Sequence, residues 1–264
     1  MSITVISYLV AGSVENRDPS LPHICVGDII KNSTLTASAT EVGRSVTSVK
    51  SPATYNGWRP DSSSSSVIAE FAAAQDIDYV ALFGDVAGIT VTAQYSTNGV
   101  DYTDIGDAIP GESGIFLALS DTIENVTHIK VVFAGGIPTV YNLSTGLSFI
   151  PENGMPVGFA PGSLNFDDKY TNTESVNGQI LGRALLRSGV KESVNITAIG
   201  RSWIDSNWLD LRGLLRTEGA YIAWNPENYP TEVIYGMASK SPTVTYSDPV
   251  YMSIGLEFEG PSYA

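Results

Sequence analysis

Catalysis by a side-chain nucleophile needs a base beside it, and for that the chain offers two histidines and one cysteine. His23 and Cys25 lie in the Pro-flanked stretch LPHIC, and His128 opens an apolar run. Two residues apart on an extended segment, His23 and Cys25 share a face without meeting, whereas enzymatic Cys-His pairs are made in space. Structural roles are expected for both. Asp76/Asp78 and Asp167-Asp168 are carboxylate pairs of the kind glycosidases use, but in so acidic a chain carboxylates in turns are expected to be simply solvated. The sequence holds no CxxC, HExxH, EF-hand, GxGxxG or GxxxxGK[ST] pattern, so no metal, nucleotide or other cofactor is expected. The N-x-[ST] triplets at Asn32, Asn125, Asn142 and Asn195 are read as chance matches. No catalytic residue is assigned, and the protein is expected not to be an enzyme.

The bulk numbers narrow the partners. The 264 residues carry 28 acidic and 14 basic side chains, net −14, with 43% hydrophobic residues and a mean hydropathy of +0.06. That is a globular composition, and at this length about three quarters of the unfolded surface can be buried, in roughly two domains. The charge opposes electrostatic binding to nucleic acid or to an anionic membrane. A lone cysteine cannot form an internal disulfide. The opening MSITVISYLVAGS lacks a basic n-region and its apolar run is broken by Ser7 and Gly12, so neither a leader nor membrane insertion is expected.

The elements that must position any site are mostly short strands between turn clusters. Ile89, Val91, Ala93 and Tyr95 alternate with polar residues up to Ser96, which puts one face on a core and the other in water. Asn98-Gly99 then predicts a hairpin turn into a strand at Tyr102–Ile105. Tyr79–Phe83 and Ile129–Phe133 read as apolar strands, and the serines 62–66 as a solvated loop before a strand Val67–Phe71. The segment PENGMPVGFAPG, 151–162, holds three prolines and three glycines and is the best linker candidate. Residues 1–150 carry 6 basic and 15 acidic groups, while 151–264 carry 8 and 13. Beyond the linker one helix is predicted over 206–217, capped by Asp205 or Ser206, with Trp208, Leu211, Leu214 and Leu215 on one face and Asp210 near its positive end. Val194, Ile196 and Ala198 alternate in one flanking strand, and Met252, Ile254, Leu256 and Phe258 share a face of another.

The order YNGWRPDSSSSS, VIAEF, DYVALFGD, ITVTAQYSTNGVDYTDIG, THIKVVFAGG resembles the galactose-binding-like, discoidin-type jelly roll. The resemblance implies a β-sandwich over residues 1–150 and sugar binding through loops at one end. Tyr55, Trp58 and Arg59 occupy the corresponding loop. An aromatic face can stack on a sugar ring and an arginine can hydrogen-bond its hydroxyls; Trp58 can equally plug one end of the sandwich.

The runs SVNGQILGRALLRSG, SVNITAIGRSWIDSNWLDLRGLL, AYIAWNPENYPTEVIYGMAS and YMSIGLEFEG, within Tyr170–Gly260, are similar to distal tail, baseplate and minor tail proteins of tailed bacteriophages. The resemblance implies a β-barrel-like domain over 163–264 with one packed helix, so the fold expected is mainly β. It also implies a homo-oligomeric ring, trimer or hexamer, joining the tail tube to tip proteins or fibres. The protein would then sit in the virion tail, assembled in the host cytoplasm. Trp224 and Tyr229 lie at a corner fixed by Pro226 and Pro230 and suit either a core or an interface. Arg183, Arg187, Arg201, Arg212 and Arg216 suit head-to-tail ion pairs between copies, or pairing within one chain. The alternative expectation is a receptor- or carbohydrate-binding virion protein that takes a cell-surface glycan through the first domain.

Overall fold

The computed structural model describes residues 18–106, 115–156, 159–161, 167–230, 232–247 and 249–261, with the side chains of 115–119 and 187 left aside. The reading of the opening thirteen residues, and parts of the linker, lie outside the described residues. Among the described residues the fold is mainly β with one α-helix. Its strands are β1 (His23–Cys25), β2 (Thr34–Ala37), β3 (Ser64–Asp85), β4 (Thr90–Ser96), β5 (Thr103–Asp104), β6 (Ile115–Ala134) and β7 (Thr139–Gly146). After these come β8 (Lys169–Glu174), β9 (Ile180–Arg187), β10 (Gly189–Gly200), the helix α1 (Arg201–Leu215), β11 (Gly219–Ala223), β12 (Val233–Ala238), β13 (Thr243–Tyr246) and β14 (Tyr251–Pro261).

One antiparallel sheet runs β2-β3-β6-β4-β5, with β7 also on β3. β3 is long enough to serve both halves of a sandwich. Its first part, Val67–Glu70, pairs with β2, and its last part, Tyr79–Asp85, pairs with β7. Register shifts between Glu70 and Tyr79 turn the ribbon from one half to the other. Val67, Ala69 and Phe71 from the first part meet Val80 and Leu82 from the second, together with Val91, Ala93, Val131 and Phe133, in one core. The serines Ser64–Ser66 belong to β3 rather than to a loop, because their backbone continues the ladder to β6. Asn98-Gly99 makes the expected turn, with Gly99 at φ 76 and the Asn98 side-chain oxygen accepting from the amides of Val100 and Asp101.

The second sheet runs β1-β11-β12-β14-β10, with β13 on β14. Met252, Ile254, Leu256 and Phe258 share one buried face, as their spacing predicts, and meet Val194, Ile196, Trp203, Ile204, Leu211 and Leu215. Ala198 departs from the expected alternation: it sits at φ 58 within a register shift between Ile196 and Ile199. The helix begins five residues before the expected start. Gly200 occupies the N-cap without a side-chain bond, so no cap signal marks it, and Trp203 and Ile204 extend the buried stripe by one turn. Asp205 therefore lies inside the helix, paired with Arg201 at 2.8 Å. Asp210 lies mid-helix and buried, which raises its carboxyl above the ordinary range by desolvation.

The boundary between the two units is not one cut near residue 150. β1 pairs with β11, some two hundred residues on, and Ile24 bridges Phe149, so the chain leaves the second sheet, builds the sandwich and returns beside its point of departure. Tyr79, Ala81 and Phe83 of β3 pack on Cys25, Tyr221, Ala223, Val233 and Tyr235 of the second sheet, with the Phe83 and Tyr235 rings stacked at 5.3 Å. The outgoing segment is strapped down by Glu218, whose carboxylate accepts from the amides of Gly27 and Asp28 and pairs with Lys31 at 2.8 Å. Beside it Asp28 is buried. Its Oδ1 accepts from the Ile30 amide, while Oδ2 has no hydrogen-bond partner among the described residues. Burial first, with the Glu218 charge added to it, pushes the Asp28 carboxyl up to about 7.

Candidate functional site

The loop resembling a sugar-binding loop is held at several points. Trp58 exchanges both backbone hydrogen bonds with Val140 at 2.8 Å. Gly57 fits there because a Cβ would lie 2.9 Å from the Val140 carbonyl oxygen. The Trp58 ring is fully buried against Phe133, centroids 5.7 Å apart, and its Nε1–H is shared between the Ala39 carbonyl and Thr40 Oγ1. Of the two expectations for Trp58, the geometry is that of the plug; no face of the ring is open for stacking.

What the plug braces is a polar rim with one exposed aromatic. The Glu41 amide donates to the Arg59 carbonyl at 2.8 Å, and the Arg44 amide to the Glu41 carbonyl. Arg59 Nε lies 3.4 Å from Glu41 Oε2, both side chains about half exposed. Asn56 donates to Ser48 Oγ. Tyr55 is 88% exposed, a large ring held in water. Its loop is anchored from below by the second sheet: Tyr235 donates to the Pro52 carbonyl at 2.9 Å. Asn142, itself bonded by the Tyr221 hydroxyl, donates to the Ser51 carbonyl. The rim thus combines an apolar ring face with a guanidinium, a carboxylate and an amide. It can bind a ligand that is apolar on one side and hydroxyl-rich at its edge.

The remaining candidates disperse. Arg183 stacks on the Tyr170 ring at 3.6 Å, and the side chain of Arg187 lies outside the described residues. Arg201 donates to Asp205 and to the Tyr246 hydroxyl, which raises its pKa, the Asp205 bond contributing most. Arg212 and Arg216 are exposed near the end of α1. Trp224 is half-buried, stacked on Tyr229 at 4.6 Å and bonded to Glu232. Among the described residues, Arg183 and Arg201 thus answer to different partners.

A buried polar chain at the junction has no counterpart in any sequence pattern. Asp78 is buried rather than solvated. It accepts from the Ser148 amide at 2.9 Å and from Ser148 Oγ at 2.6 Å, and Ser148 Oγ lies 3.2 Å from His23 Nδ1. The serine proton is directed at the aspartate, not at the imidazole, and all three groups are sealed from solvent, so this is a brace and not a nucleophile with its base. Asp76 similarly receives the Asn125 amide. Sequence separations of 70 and 125 residues leave no local signal for the chain.

No protein-family model matches the chain, and no curated protein does. Among solved structures it is similar to CpGH89CBM32-5 from Clostridium perfringens in complex with GalNAc-β-1,3-galactose, at 14% identity and a TM-score of 0.41, over 46% of this chain and 99% of that one. Chitosan-binding module 1 of the chitosanase/glucanase from Paenibacillus sp. IK-5 is similar at 15% identity and a TM-score of 0.40, over 45% of this chain and 98% of that one. A Ruminococcus gnavus GH29 fucosidase in complex with fucose is similar at 11% identity and 0.41, over 46% of this chain but 27% of its own.

Proposed function

We propose that the chain is a non-catalytic binding protein whose sandwich takes a carbohydrate at the Tyr55 rim. The observation that carries the reading is Tyr55 itself: a loop anchored at Pro52 holds the ring out in water, on the same short stretch of chain as Asn56 and as Arg59 with its Glu41 partner. A pyranose offers an apolar C–H face to such a ring and hydroxyls to the flanking charges. Trp58 serves that site from beneath, as the buried support of the loop.

Tyr55→Ala is the test. The exposed ring contributes nothing to the core, so the unfolding transition stays in place while glycan affinity, screened on an array and then titrated, falls about tenfold or more. Unchanged binding in the variant, or no saturable binding by the wild-type chain, overturns the reading.

A second reading keeps the assembly role: a ring-forming component of a phage tail tip in the virion, joined to tube, tip or fibre proteins. What favours it is the apolar surface left uncovered on the second unit, at Ile180, Leu181, Leu185 and Leu186. The two readings are compatible, since a tail component can carry a glycan-binding sandwich.

A further inference from the structure

The stretch of chain that leads to Tyr55 also walls a cleft where the sandwich meets the second sheet. Residues 52–54 form one side of it, and residues 235–239 of β12 and 259–261 of β14 form the other, joined by Ser188 between β9 and β10. Its volume of about 590 Å³ falls within the ~300–1,000 Å³ typical of small-ligand sites and exceeds what one sugar ring fills. The two sides are tied together within the chain itself. Tyr235 donates to the Pro52 carbonyl at 2.9 Å, and the bonds from Tyr221 through Asn142 to the Ser51 carbonyl repeat the tie one residue earlier. β12 and β14 approach so closely that a Cβ on Gly236 would stand 2.9 Å from the Glu259 carbonyl oxygen, so backbone forms that part of the wall. A cleft braced in this way loses little freedom when a ligand enters.

The lining selects the class of ligand. Pro52, Ala53, Met237 and Pro261 supply apolar surface, while Thr54, Ser188 and Ser239 supply hydroxyls that both donate and accept. Among the described residues of the lining, Glu259 alone carries a charge at neutral pH, and Lys191 lies 3.6 Å from its carboxylate. With that charge balanced, the cleft suits an uncharged molecule with apolar faces and hydroxyl edges, rather than a phosphate or a cationic peptide. Every pyranose of a neutral glycan has that character. The cleft also adjoins the rim: Thr54 lines it and Tyr55 follows, their Cα atoms about 3.8 Å apart. A glycan held at Tyr55 thus starts one residue of chain away from the cleft wall.

We propose that this cleft is a second saccharide subsite, so that the ligand is an uncharged oligosaccharide longer than a disaccharide, held at Tyr55 by one part and in the cleft by another. This deepens the carbohydrate reading and rests on it. The sandwich then supplies the rim, and the second sheet supplies most of the additional subsite.

Titration calorimetry on the full chain tests the subsite with cello-, β-galacto- and N-acetylglucosamine oligosaccharides, each from monosaccharide to pentasaccharide. In at least one series the affinity is expected to rise about tenfold or more from disaccharide to tetrasaccharide. Met237→Trp, at a position 40% exposed on the cleft wall, fills the cleft and is expected to abolish that rise while leaving disaccharide affinity unchanged. Retained disaccharide binding also shows that the variant is folded. Ser239→Trp, exposed on the same wall, is expected to repeat the result. Tyr55→Ala is expected to lower affinity at every length. A rise with length that persists in both tryptophan variants overturns the cleft and leaves the Tyr55 reading standing. So does the lack of any rise in the wild-type chain where Tyr55→Ala still loses disaccharide binding. No saturable binding of any of these oligosaccharides by the wild-type chain overturns the subsite, and the Tyr55 reading falls with it if the glycan array is also blank.

Discussion

β3 and β9 both carry apolar runs in long antiparallel ribbons, and they end in opposite situations. In β3 the run Tyr79–Phe83 is covered twice: Val80 and Leu82 face the sandwich core, while Tyr79, Ala81 and Phe83 face the second sheet. In β9, Ile180-Leu181 and Leu185-Leu186 stand in water. Written as sequence the two runs look alike, since each announces only that both faces of a strand need a cover. Among the described residues, the chain supplies both covers for β3 and neither for β9. A strand covered by its own chain contributes to stability; one that is not is available for association.

The comparison is broken or sharpened by asking what each covered or uncovered group costs to remove. Phe83→Ala has the largest expected effect, a loss of roughly 3–5 kcal/mol in urea unfolding, because it opens a hole against the stacked Tyr235 ring. A loss below about 1 kcal/mol would mean that the second sheet is not the cover it is taken to be. Asp28→Asn comes next and acts through pH. The folded carboxyl titrates at about 7, against 3.8 when unfolded, so between those values the folded state holds a proton that the unfolded state has lost. Stability therefore falls as pH rises from about 4 to 7 and levels off above. The variant, with no proton to lose, is expected to flatten that slope; a slope unchanged in Asp28→Asn would place its origin elsewhere. Smallest is Leu185→Ala, expected within about 0.5 kcal/mol of wild type in dilute monomer. A loss comparable to that of Phe83→Ala would show β9 to be covered within the chain and erase the contrast.

How much of this was legible follows from distance along the chain. Alternation at Val91 and Ala93 and along Met252–Phe258 is a local pattern that burial repeats faithfully. The helix was legible through its apolar stripe but not in its start, because Gly200-Arg201 carries no capping side chain. At the candidate site, Tyr55 and Arg59 are both exposed, while whether Trp58 stacks or plugs turns on Phe133 and Val140, which no local spacing reports. Asp78 illustrates the limit: a carboxylate in a polar stretch is expected to be wet, and only Ser148, seventy residues away, makes it dry.

The pairing of β1 with β11 sets an order of events during synthesis. A ribosome releases His23–Cys25 long before its partner strand Gly219–Ala223 exists. The sandwich between them contains all of its own strands and can fold as a unit while the chain grows. When it folds, it draws the segments around Ile24 and Phe149 together, so more than a hundred residues of slack are replaced by a short span before β11 appears. The guest inserted into the second sheet thus prepares its host, and a mutation that delays the sandwich is felt first as a β1 left without a strand to join.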